Sequence, residues 1–233
     1  MKGLHVRFEG LTASYPYPFL RTGTVLSMPM PPYSSIFGML SACAGRDIRP
    51  DSNWHIGFEF TSGERRTIDI ERTDRLKTDN KGRLKRNPEQ GIAKREFHVY
   101  PRLDVYLNDL NLSSAFRYPV ATPCFGRSQD IAWIVSVVEI DLEPVTQGAI
   151  RSTLAPYSGS PVGQVLPPLV DFYINDVAKH TRLPGRISRY VAIPNPGLLQ
   201  GIVLASTPQM SLYHPSDSDF QEHAVVLVDF KHE

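Results

Sequence analysis

Twelve of the chain's 25 lysines and arginines fall between Arg65 and Arg102, with six acidic residues among them. The window carries +6 in a chain of net charge +1, so the rest of the molecule is slightly acidic. Lysine and arginine at this density neutralise phosphates and release their condensed counterions, and the chemistry on offer is polyanion binding. A solvated hairpin has the same composition, and both readings stand. The residues with the most direct claim on phosphate are Arg72, Arg75, Lys77, Arg83, Lys85, Arg86 and Arg95. Arg127 follows Gly126 in a tight turn; its planar fork suits either a phosphate or a salt bridge to Asp130. Tyr15, Tyr17 and Phe19, with Arg21 beside them, offer faces for unstacked bases or a cover for a sheet edge.

Other chemistries find little support. Cys43 and Cys124 are the only cysteines and have no CxxC spacing, which fits a reducing cytoplasm and neither a disulfide scaffold nor a zinc site. The seven histidines show no HxH or HExxH pattern, so no metal or other cofactor is expected. Ser128 and Ser152 sit in no G-x-S-x-G context, and there is no phosphate-cradling Gly-x-x-x-x-Gly-Lys loop. No apolar run approaches the ~20 residues of a membrane span, and no membrane partner is expected.

Several elements must position these groups. Leu4–Gly10 alternates apolar and polar residues and predicts a first strand. The proline-rich Tyr15–Phe19 segment predicts a loop. Met28-Pro29-Met30-Pro31-Pro32 leads into a helix over Tyr33–Ala44, stopped by Gly45. Ile36, Met39, Leu40 and Cys43 share one face of it, while Gly38 and Ala42 would admit a neighbouring backbone. Tyr33, Ser34 and Ser35 lie at its N-terminus, which can face a phosphate. Trp54–Phe60 predicts a second strand. Asp79-Asn80-Lys81-Gly82 supplies turn chemistry for the tip of a long basic hairpin. The chain returns through Arg95–Tyr100 and Leu103–Leu107, and the nearly continuous apolar run Ile131–Leu142 predicts a buried central strand. This order fits an α+β fold: a ferredoxin-like (RRM-like) sheet over residues 1–142, with a basic hairpin at about 65–97. Its second helix is weak, and residues 143–233 form a small β-rich C-terminal subdomain. The aromatic RNP1 pattern is absent, so bases are not expected to stack on the sheet face.

Four stretches in sequence order carry a family resemblance: Phe8–Ser14, Pro31–Gly38, Arg95-Glu96-Phe97 and Phe125–Asp130. Together they resemble the CRISPR-associated "Cas five" family of the RAMP superfamily, and the Gly126–Asp130 turn is most like the type I-B branch. The resemblance spans roughly residues 3–142. It implies an RRM-like body that holds the 5′ handle of a guide RNA (crRNA), with a protruding basic hairpin, the thumb. The implied partners are that handle, the backbone and large subunits of a Cascade complex, and target DNA indirectly through the complex. The RNA-binding residues expected on this reading are Tyr17, Arg21, Tyr33, Ser34, Ser35, the seven hairpin residues named above, and Arg127. About six phosphate contacts on single-stranded RNA would give a slope of roughly −4 for log K against log salt.

One branch of that family is itself a metal-independent RNA endonuclease. It uses a tyrosine at the start of the helix and a Lys-His pair shortly before the Gly-Arg turn. Tyr33 matches the tyrosine by position, but Asn108–Phe116 contains neither lysine nor histidine. The expectation is therefore a non-catalytic cap, with an RNA-processing ribonuclease as the alternative. His98, on an alternating strand beside Phe97 and Val99, reads as a structural residue.

Overall fold

In a computed structural model of the chain, the alternation of Leu4, Val6 and Phe8 with His5, Arg7 and Glu9 becomes strand β1, Lys2–Gly10. The structure describes residues 1–19, 23–50, 53–63, 67–157, 162–176, 179, 181–194, 202–207, 210–219 and 221–230, with the side chains of all but 73–75, 87–90 and 176. Helix α1 covers Tyr33–Ala44, as its punctuation predicts. Gly45 ends it at φ 64 and donates its N–H to Ala42 O at 3.4 Å. Val120 and Ala121 donate to Cys43 O and Ala42 O at 2.9 and 3.1 Å, satisfying carbonyls that the helix end leaves open. Tyr33, Ile36, Phe37, Met39, Leu40 and Cys43 are buried in one core with Leu4, Val6 and Phe8. Full burial of each large apolar side chain contributes roughly 1.5–3 kcal/mol. Gly38, expected to admit a backbone, has open space beside it.

Strands β2 (His55–Thr61), β3 (Thr67–Thr78), β4 (Leu84–Val99) and β5 (Arg102–Leu107) follow. A short helix α2 (Ser113–Arg117) leads to the long strand β6 (Ala132–Val145). Antiparallel pairing gives the order β6-β1-β5-β2. Beyond β6, the hairpin of β7 (Leu169–Asp176) and β8 (Thr181–Ser188) packs on α1 through a Phe37–Phe172 edge contact at 6.2 Å. Asp171, at its base, is fully buried. It accepts from Arg186 Nε at 2.5 Å, Ser188 Oγ at 2.6 Å and Tyr190 OH at 2.7 Å. The Arg186 guanidinium lies 4.6 Å from the Phe230 ring centroid.

Strands β9 (Ser211–Pro215) and β10 (Val225–Asp229) then join the first sheet, β10 on β2 and β9 between β10 and β6. The result is a closed six-stranded barrel. Closure needs a glycine at 57, where a Cβ would stand 1.9 Å from Val226 O. The expected α+β architecture thus fits only loosely: the molecule is mostly strand, and its sheet closes on itself. The expected boundary at 142/143 falls inside β6, and residues from both sides of it share one core. The expectation that Ile131–Leu142 is a doubly buried central strand is overturned. Trp133, Val135 and Val138 are exposed, and among the described residues 132–141 pair with β1 alone.

Register sets three rows across the sheet face turned away from α1: Thr61-Arg102-Glu9-Trp133, Glu59-Asp104-Arg7-Ser136 and Gly57-Tyr106-His5-Val138. His5 stacks on Tyr106 at 4.6 Å and bridges Asp104 (2.8 Å) and Asp217 (2.5 Å). Burial opposes charge on His5, but the two carboxylates outweigh it and raise its pKa to about 9. Burial likewise opposes charge on Asp104, yet hydrogen bonds from His5 and Arg7 hold its pKa down at about 2. Charged groups and the closing strands fill this face.

Candidate nucleic-acid interface

The long hairpin is an antiparallel ladder running from Thr67↔Phe97 to Thr78↔Leu84. Its turn lies where the sequence places it. Asp79 accepts from the backbone N–H groups of Lys81 and Arg83, each at 2.9 Å, and Gly82 takes φ 74. Those two hydrogen bonds, with Lys85 Nζ at 3.3 Å, hold the Asp79 carboxyl below its usual range. Around this turn Lys77, Lys81, Arg83, Lys85 and Arg86 are exposed. Lys77 stands directly opposite Lys85. Like charges facing across a ladder weaken it, and Asp79 offsets this in part through Lys85. Further down, Arg72 and Lys94 are exposed on the face that also carries Ile68, Ile70 and Ile92, at 57%, 66% and 68% exposure.

The other face of the hairpin turns its charges inward. Glu71 accepts from Arg95 Nε at 2.7 Å and from Arg127 Nη1 at 2.5 Å. Arg127 also forks onto Asp130 through Nε and Nη2, both at 2.8 Å, and its guanidinium lies 5.7 Å from the Phe97 ring centroid. Asp130 is fully buried and accepts from Thr12 Oγ1 at 2.6 Å. Burial opposes charge on Glu71, but the hydrogen bonds from Arg95 and Arg127 dominate and hold its pKa low. Gly126, at φ 101, brings this turn against the first segment; a Cβ there would meet Ser14 O at 2.1 Å. Arg127 therefore ties the hairpin root to the body, and Arg95 joins the hairpin's own two strands. The expected phosphate fork at Arg127 gives way to the salt bridge with Asp130, reinforced by Glu71, 56 residues earlier in the chain.

The aromatic candidates divide. Tyr15 is buried against Phe60 and His98, at 5.7 and 6.1 Å, and is withdrawn from any RNA. Tyr17 is half-buried and accepts from Gln164 Nε2 at 3.0 Å, while Phe19, 5.8 Å from it, is exposed. Arg21 and the side chain of Arg75 lie outside the described residues. Tyr33, expected as an RNA contact, lies fully buried in the core. Its ring is enclosed by Phe58, Tyr190 and Phe230 at 5.2–5.3 Å, and its hydroxyl reaches Leu154 O at 3.5 Å. Burial and then the nearby Asp171 push this phenol far above its ordinary pKa, the wrong direction for a base. Ser34 and Ser35 are half-buried, and Ser35 N–H is already bonded to Pro32 O at 2.9 Å. His98 is structural as expected, with Nε2 2.8 Å from Met28 O. Sequence reasoning missed Glu71. Its only signal is an acid among basic residues, and its partners become visible only with register.

No family model matches the sequence, and no curated protein is similar to it in sequence. Solved structures with the same fold include two that superpose over nearly the whole chain. A chain of a CRISPR RNA-guided surveillance complex superposes with a TM-score of 0.52 at 16% identity, covering 92% of this chain and 91% of that one. A CRISPR protein from Archaeoglobus fulgidus superposes with a TM-score of 0.54 at 10% identity, covering 98% and 100%. At these identities the likeness is one of fold.

Proposed function

We propose that the chain is a non-catalytic, guide-RNA-binding subunit of a type I CRISPR effector complex, of the "Cas five" kind and most like the type I-B branch. The observation that carries this reading is the outward-facing basic hairpin tip, with Lys77 opposite Lys85 and Arg83 and Arg86 beside them. Such an array fits a phosphate backbone. The order β6-β1-β5-β2, with helices in the β1–β2 and β5–β6 connections, is that of a ferredoxin-like sheet and supports the same assignment. The fold likeness to proteins of CRISPR complexes points the same way. On this reading the body and hairpin hold the 5′ handle, and the backbone and large subunits of Cascade are its protein partners. Target DNA is met only through that complex, in the cytoplasm. The burial of Tyr33 and the lack of a Lys-His pair in Asn108–Phe116 favour a cap over a nuclease.

The test is incubation of the purified chain with its cognate repeat RNA in EDTA, reading binding and cleavage on one gel. Tight binding of the 5′ handle without a cut is expected. A single specific cut would make the chain the guide-processing enzyme, and absence of binding would remove the RNA reading altogether.

A further inference from the structure

At the root of the basic hairpin, Leu11, Ser62, Tyr100, Arg102 and Trp133 line a cleft of about 580 Å³, a size common for small-ligand sites. Its floor is one register row. Arg102, Glu9 and Trp133 stand side by side across β5, β1 and β6. Trp133 is 46% exposed and Leu11 61% exposed. Arg102 gives its Nε–H to Asp104 at 2.8 Å, and 44% of its side chain remains accessible. Tyr100 lines the same cleft; it has φ 50 and is 69% exposed. Its N–H is bonded to Leu11 O at 2.9 Å, which holds the backbone in the left-handed region. A bulky aromatic residue is rare there, and strain of this kind collects at functional sites. Neither ring contributes to the core, and together they give a charged cleft two exposed π-faces.

We propose that this cleft binds an unstacked nucleobase of single-stranded RNA, stacked on Trp133 and Tyr100, with the Arg102 guanidinium toward the sugar-phosphate beside it. Aromatic stacking accepts any base, because every base has a π-face, and a cationic fork beside the rings suits the adjoining phosphate. Tyr100 directly follows β4, so the cleft adjoins the hairpin root. This inference rests on the RNA-binding reading above and adds to it a site made of residues outside the basic window's tip.

The full chain is titrated with oligoadenylate RNA while tryptophan emission and bound RNA are read together. The chain has two tryptophans, and Trp54 is buried against Phe37 at 6.3 Å, so quenching on binding reports Trp133. Quenching is expected. Tyr100→Gly and Trp133→Ala should each weaken binding on the order of 5- to 150-fold. The slope of log K against log salt should stay unchanged, because neither variant removes a cation. Tyr100→Gly separates binding from folding: glycine adopts φ 50 freely, so its melting temperature should hold or rise while affinity falls. Wild-type affinity in both variants, with the emission of the wild-type chain and of Tyr100→Gly unquenched while RNA is bound, would overturn the cleft and leave the RNA-binding reading intact. Failure of the wild-type chain to bind any RNA would overturn both.

Discussion

The two long hairpins, β3/β4 and β7/β8, are the same kind of antiparallel ladder and treat charge in opposite ways. In β7/β8 one buried carboxylate, Asp171, gathers Arg186, Ser188 and Tyr190, and the cation is closed over an aromatic ring. In β3/β4 the tip directs lysines and arginines to solvent, with Asp79 close to Lys85, while the root gathers Glu71, Arg95, Arg127 and Asp130 into one ion-pair network. Charge turned inward holds a fold together. Charge turned outward, as at Lys77 and Lys85, stays accessible at the surface, which is what the proposed RNA contact requires.

The contrast breaks most visibly at Asp171. Asp171→Ala leaves an arginine and two hydroxyls without their acceptor, and the expected loss is on the order of 3 kcal/mol in chemical denaturation. A loss under about 1 kcal/mol would mean that the β7/β8 hairpin does not depend on its inward charge. The opposite result is expected at the tip. Replacing Lys77, Arg83, Lys85 and Arg86 together by alanine should change stability by no more than about 0.5 kcal/mol. The RNA salt slope should become shallower by about 0.7 for each phosphate contact removed. Arg127→Lys sharpens the division within the same hairpin. It should cost about 1–2 kcal/mol of stability through loss of the bidentate fork, with the salt slope unmoved. A shallower slope in that variant would return Arg127 to the phosphate-binding set.

The barrel's charged face is tested through pH. His5 has its pKa raised from 6.5 to about 9 in the folded chain. Its contribution is therefore complete below pH 6.5 and is lost as pH rises through 9. The melting temperature should fall by a few degrees across that interval, and the fall should vanish in His5→Gln. Asp104, held low, loses its contribution only in acid, as pH drops from its ordinary 3.8 toward about 2. A flat profile for the wild-type chain above pH 6.5 would show that His5 is not charged in place.

What sequence conveys and what it hides follow from distance along the chain. Helix α1 and strand β1 are legible because periodicity and local stop signals suffice, and the hairpin tip is legible because Asp79 and Gly82 build it from neighbours. Tyr33 is misplaced because a position at a helix start says nothing of Phe58, Tyr190 and Phe230, which come from distant segments to bury it. Arg127 shows its near partner Asp130 and conceals Glu71, since register between β3 and β4 decides whether they meet. Trp133 and Tyr100 pass unnoticed for the same reason: each belongs to an ordinary strand pattern until three strands are aligned. The closed barrel is hidden most deeply, because its last two staves lie far from the sheet they complete.

That placement of β9 and β10 bears on how the chain is made. Translation releases residues in order, yet β2 gains its outer neighbour only when Val226 arrives beside Gly57, and β6 gains its own through Leu212–Pro215. Until residues 211–229 have emerged, the nascent sheet presents unpaired edges and the apolar ring of Tyr106, Ile140 and Leu142. Pairing across so much intervening chain is slow, and exposed edges invite association in the meantime. Truncation before 211 should therefore yield an aggregating product, while a holdase chaperone supplied during synthesis should raise the yield of the full chain.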